Sequence, residues 1–165
     1  MKGRATVVLL ALVLTWITSP ILAAPSQKRV QAFNALVAAY NKYLSGDEKG
    51  GREEIEKALA LDPDLAYGNI VRGEVAMKEQ DWPTAQKYFE RGLTLLKLPD
   101  QPLSPDKNTK VSVKEVEGDA RCFLGYVYVK QAQRANRLGK EAEEQKYLGL
   151  ADKSLRAGLA LSPGK

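Results

Sequence analysis

The chain has 165 residues, of which 44% are hydrophobic and 27% charged, the proportions of an ordinary globular domain that can bury one core. It contains no histidine and a single cysteine, Cys122, which excludes a histidine-based triad, a zinc site with imidazole ligands and an internal disulfide. The formal net charge of +5 is spread among alternating acids and bases, as in Glu53, Glu54, Glu56, Lys57 and Lys87, Glu90, Arg91, the pattern of solvated helix faces rather than of a nucleic-acid binder.

At the N-terminus, Lys2 and Arg4 precede an apolar run over residues 5–17, followed by Ser19, Pro20 and the small pair Ala23-Ala24. That order is the layout of a secretory signal peptide. It predicts a leader over residues 1–23, cut after Ala23, because a cut after Ala24 would leave Pro25 at the new terminus. The expected destination is an exported compartment, periplasmic or secreted. The alternative is an uncleaved membrane anchor, since residues 5–24 are just long enough to cross a bilayer; Thr15, Thr18, Ser19 and Pro20 weaken its second half. Contact with a membrane is expected only if this segment is retained.

Beyond the leader the sequence repeats. Asp47 and Asp81 are 34 residues apart, and at the same offset Ile55 matches Phe89, Glu56 Glu90, Lys57 Arg91, Ala58 Gly92, Leu59 Leu93 and Leu61 Leu95. Upstream, Leu36 matches Ile70, Val37 Val71 and Ala39 Gly73. A fixed period of this length marks a repeat architecture. Asp47 and Asp81 are expected N-caps, Pro83 sits early in its helix where its missing N–H is harmless, and Ser112 with Glu115 spells a capping box. The segment 99–111, with Pro99, Pro102 and Pro105, has the composition of a loop.

The pattern resembles the tetratricopeptide repeat, in which small residues stand where helices touch and a larger apolar residue lies between them. Gly73, Ala85, Phe89 and Gly92 occupy those places in the second repeat. The first repeat has Ala39, Gly51, Ile55, Ala58 and Pro63, and the third has Leu124, Gly125, Tyr128, Ala151, Leu155, Gly158 and Pro163. The resemblance covers residues 28–163, as repeats at about 32–65, 66–99 and 112–163. It departs from the family at the early Trp, replaced by Ala35, Asn69 and Arg121, and at the Leu replaced by Arg72. The third pair is also longer: Gly73 to Ala85 spans twelve positions, Gly125 to Ala151 twenty-six. Seven extra residues on each helix, about two turns, would keep the same faces aligned, with the reversal at residues 136–139.

The resemblance implies an all-α fold of helical hairpins stacked into a right-handed superhelix, with a groove lined by the first helix of each pair. Its groove positions fall on Leu36, Tyr40 and Tyr43, on Tyr67, Ile70, Glu74, Met77 and Lys78, and on Asp119, Cys122, Tyr126, Val129 and Lys130. Tyrosine offers a rigid apolar body with a polar tip, suited to holding a protein or peptide. The family's carboxylate clamp is not expected, because the matching positions, Leu36, Tyr40, Val71, Asp119 and Phe123, carry neither basic charge nor amide. Cys122, on a helix beside Phe123 and Leu124, reads as a small buried hydrophobe; the alternative is a groove-facing thiol open to an intermolecular disulfide.

The expected function is a protein-binding or peptide-binding module, an adaptor or assembly factor, with no nucleic acid, cofactor or metal. A structural subunit or self-associating scaffold is the alternative. Catalysis is not expected: the adjacent pairs Glu53-Glu54 and Glu143-Glu144 point to different sides of their helices, and no phosphate loop or nucleophile motif is present.

Overall fold

The computed structural model describes residues 26–99, 101–102 and 112–161. The leader, most of the 99–111 loop and Pro163 lie outside the described residues. Six helices account for nearly all of what is described: α1 (Gln27–Leu44), α2 (Glu48–Leu61), α3 (Ala66–Lys78), α4 (Trp82–Leu95), α5 (Val113–Arg137) and α6 (Glu141–Leu161). They form three hairpins, α1/α2, α3/α4 and α5/α6, and each hairpin packs on the next in chain order. The protein is therefore an all-α stack of helix pairs.

Local chemistry sets the helix limits. The Asp47 and Asp81 side chains accept hydrogen bonds from Gly50 N and Thr84 N, and Ser112 and Glu115 complete a capping box at the start of α5. Each of these satisfies N–H groups that the first turn leaves without partners. All three hairpins reverse through one left-handed residue, Gly46 (φ 83), Gln80 (φ 61) and Gly139 (φ 68). In each the next N–H reaches back five residues, from Asp47 to Lys42 O, Asp81 to Ala76 O and Lys140 to Ala135 O. This is the Schellman arrangement. The α3 N-terminus has no side-chain cap of its own; instead Gln101, from the segment after α4, accepts the Ala66 N–H at 2.9 Å.

Within the hairpins, close packing depends on small residues at repeating positions. A Cβ added to Gly92 would lie 2.6 Å from Ile70 Cγ1 and 3.2 Å from Ala66 O; one added to Gly158 would meet Cys122 Sγ at 2.6 Å and Gly118 O at 2.8 Å. Gly73 faces the Phe89 ring, and Gly125 faces Leu155, in the same relation. The third hairpin thus repeats the contacts of the second once its extra length is allowed for. That length is explicit: α5 runs twelve residues past Gly125 where α3 runs five past Gly73, and α6 starts ten before Ala151 where α4 starts three before Ala85. Seven residues are added to each helix, and the matching contacts stay in register.

Two positions that depart from the tetratricopeptide pattern are filled by polar groups with partners. Asn69 is fully buried and its amide donates to Pro63 O and Leu65 O, both at 2.9 Å, so it ties the α2–α3 loop to α3. Arg72 bonds Glu56 at 2.5 Å and lies over the Tyr88 ring at 5.4 Å, linking α2, α3 and α4.

The core is in two parts. One holds Ala32, Ala35, Leu36, Ala39, Ile55 and Ala58 of the first hairpin with Leu65 and Val75; the other runs through the second and third hairpins around Phe89, Leu93, Val127 and Tyr128. Tyr67 packs against both.

Candidate functional site

Where α1 and α3 lie side by side they leave a cleft of about 240 Å³, lined by Leu36, Ala39, Tyr40 and Tyr43 from α1 and by Tyr67, Val71, Glu74, Val75 and Lys78 from α3. Helical spacing explains the set: 36, 40 and 43 share one face of α1, and 67, 71, 74 and 78 share one face of α3. Six residues expected at a groove thus meet in one place: Leu36, Tyr40, Tyr43, Tyr67, Glu74 and Lys78. Ala39, Val71 and Val75 also line it and belong to the same periodicity.

The three tyrosines are not equivalent. Tyr40 is 47% exposed and stands at the rim. Tyr43 is half-buried, with its ring against Gly51 of α2 and Lys78 Nζ over it at 5.7 Å. Tyr67 sinks between the two cores, and burial, followed by the negative charge of Glu74, raises its phenol above the ordinary value.

Glu74 is the chemically unusual member. Burial pushes its carboxyl up to about 7; Lys78, one turn along, pulls it back, and Asp119 on α5 adds to the rise. Among the described residues it joins no ion pair and accepts no hydrogen bond, whereas the nearby charges Arg52, Glu79, Arg72 and Glu56 are paired with one another at 2.5–3.8 Å. A shielded carboxyl that accepts no hydrogen bond among the described residues, opening on a cleft, is in the state expected of a ligand-facing group.

The remaining expected residues lie elsewhere. Ile70 is 3% exposed and packs on Gly92 of α4; it is a core residue, because it sits on the α4 side of α3, and is removed from the groove set. Cys122 directs its sulfur at Gly158 of α6, so it too is a packing residue. Met77 and Val129 pack beside the larger core. Tyr126 and Lys130 form a separate cluster on α5, with Lys130 Nζ 5.1 Å from the centre of the Tyr126 ring and Trp82 edge-on to that ring at 6.1 Å. Asp119 is linked to the cleft through its charge on Glu74. Trp82 was missed in the sequence, since as the first residue of α4 it carried no groove periodicity.

A larger open groove of about 710 Å³ runs along α4 beneath the extended part of α6, between residues such as Gln86, Glu90, Arg91 and Tyr147. Several of its polar groups are already engaged: Tyr128 Oη donates to Glu90 at 2.6 Å, Gln86 donates to Glu90 at 2.8 Å, and Gln131 donates to Gln86 at 2.9 Å. The smaller cleft, whose Glu74 carboxyl accepts no hydrogen bond among the described residues, is the better candidate. Among the described residues there is no group of three or more metal-ligating side chains, and no helix is long and apolar enough to cross a membrane.

The fold and cleft define a small all-helical repeat protein with an aromatic, acidic cleft between the first helices of two hairpins. No protein-family model matches the chain, and no curated protein gives a significant match.

Proposed function

We propose that this chain is a tetratricopeptide-type binding module that holds a protein or peptide segment against α1 and α3 and acts as an adaptor or assembly factor rather than an enzyme. The observation that carries the reading is the cleft itself. It joins half-buried aromatic faces to a carboxylate that, among the described residues, accepts no hydrogen bond and joins no ion pair, and a ligand can satisfy both where water is partly excluded. The matching glycine contacts of the second and third hairpins support the repeat, and the leader pattern of residues 1–23 supports action outside the cytoplasm, which the intact mass of the protein recovered from its host would test.

Tyr40, 47% exposed at the rim of the cleft, is the residue to change, because Tyr67 carries part of the packing. The Tyr40→Ala variant keeps its helicity and loses a partner captured by the unaltered chain. A truncated aromatic anchor costs about 2 kcal/mol or more, roughly thirtyfold in affinity. A folded variant that still retains the partner would rule the cleft out.

The self-associating scaffold has one observation in its favour: Leu148 and Leu159 on α6 are 42% and 57% exposed. Light scattering distinguishes the two, a monodisperse monomer counting against the scaffold.

A further inference from the structure

The proposed groove has a chemical preference that its tyrosines alone do not express. We propose that the α1/α3 cleft is a socket for one cationic side chain, a lysine or arginine of the bound segment, held by the Glu74 carboxylate and by the faces of Tyr40 and Tyr43. The inference rests on the reading of this cleft as a peptide site and adds the charge of its occupant.

Size limits the occupant first. At about 240 Å³ the cleft is smaller than the roughly 300–1,000 Å³ of ordinary small-molecule sites, and it suits a single long side chain. Charge then decides which one. Glu74 lies in the shielded part of the cleft and Lys78 at its exposed rim, so an anion entering between the tyrosines would meet a carboxylate and the negative faces of aromatic rings. A cation that displaces Lys78, itself part of the lining, meets three favourable partners in the same space. The protein already illustrates the pairing, since Lys78 rests its own ammonium over Tyr43 at 5.7 Å. An incoming lysine would take the place of that internal cation, leaving Lys78 free to swing into solvent.

The charge of Glu74 ties occupancy to pH. The groups facing it are Lys78 on its own helix, Asp119 from α5 and Tyr67 beside it, with Tyr40 across the cleft from α1. A bound ammonium adds positive charge beside the carboxyl and lowers its proton affinity, so binding expels a proton from the fraction of molecules that hold one. Affinity for a cationic segment therefore rises with pH through about 7 and levels off above it.

Nine-residue peptides of alanine, serine and glycine carrying a central lysine, norleucine or glutamate, titrated into the full chain by fluorescence anisotropy, test this. The lysine peptide is expected to bind about tenfold tighter than the norleucine peptide, with the glutamate peptide weakest. Glu74→Gln should remove most of that preference, and Lys78→Met should tighten the lysine peptide further, with circular dichroism verifying that both variants fold. Preference for norleucine or glutamate, or an unchanged preference in Glu74→Gln, overturns the cationic socket. If norleucine binds as well as lysine and Tyr40→Ala releases it, the groove stands and the charge assignment falls. If none of the peptides binds, the cationic socket falls, and the Tyr40→Ala variant, tried on the captured partner, decides the fate of the groove.

Discussion

Glu74 is the residue on which binding and stability make opposite demands. Its carboxyl titrates near 7 in the fold against an ordinary 4.5, so the folded chain holds the proton more tightly than the unfolded chain. The stability this confers is fully present below about pH 4.5 and is lost as pH rises through about 7. A tenfold change in proton affinity corresponds to about 1.4 kcal/mol, so the cost of an ionised Glu74 at pH 8 is at most about 3 kcal/mol. Glu74→Gln is expected to melt at a higher temperature than the unaltered chain at about pH 8 and at the same temperature near pH 4.5. Thermal melts at the two values check it, and a variant equally or less stable at the higher pH would mean that Glu74 is not shielded as described. The substitution that most weakens a cationic ligand would then also be the one that stabilises the free protein, a common relation at sites kept ready for a partner.

At the scale of the helices, the extended third hairpin shows how a repeat can grow without losing its contacts. Seven residues come close to two α-helical turns, and adding them to both helices leaves Gly125 opposite Leu155 as Gly73 is opposite Phe89. Deleting residues 131–137 and 141–147 together should give a folded chain. It would lack the Gln131 bonds to Trp82 and Gln86 and the Tyr128–Tyr147 ring pair, at a cost of about 2–4 kcal/mol. Removing either segment alone mismatches the hairpin and should abolish a cooperative melt; single deletions as stable as the double one would show that the register is not constrained.

Much of this element-level organisation was legible in the residues. The period of 34, the caps at Asp47, Asp81 and Ser112 and the equal lengthening of two helices all follow from spacing and local hydrogen-bonding chemistry. The site was legible in part. The groove positions implied by the tetratricopeptide resemblance include Tyr40, Tyr43, Tyr67, Glu74 and Lys78, which meet at the cleft, but they also include Ile70 and Cys122. A helix inside a stack is covered on several sides, and a small shift about its axis decides whether a residue meets its hairpin partner or the groove. Gln101 on the α3 N-terminus and Trp82 against Tyr126 depend on how the chain returns after a loop or a turn, which no periodicity encodes.

The whole molecule is joined unevenly. The second and third hairpins share one core and are further linked by Tyr128 to Glu90 and Gln131 to Gln86. The first hairpin has its own small core and reaches the second through Leu65, Val75 and Tyr67 and through ion pairs such as Arg52–Glu79 and Arg91–Asp64. Those pairs are partly or fully exposed, so each contributes about 0–1 kcal/mol and weakens in salt. Hydrogen exchange should therefore find the amides of α1 and α2 opening at lower free energy than those of α4 and α5, and the gap should widen as salt is raised. Uniform protection across all six helices would contradict this division.

The cleft straddles that weak joint, with one wall on α1 and the other on α3. Any molecule lodged in it acts as a clasp across the hinge, bound only while the first hairpin is docked. Occupancy at a hundred times the dissociation constant would raise the free energy of undocking by about 2.7 kcal/mol. The slowing of exchange in α1 and α2 then serves as a detector of ligands, one that responds to any occupant of the cleft before its chemical identity has been determined.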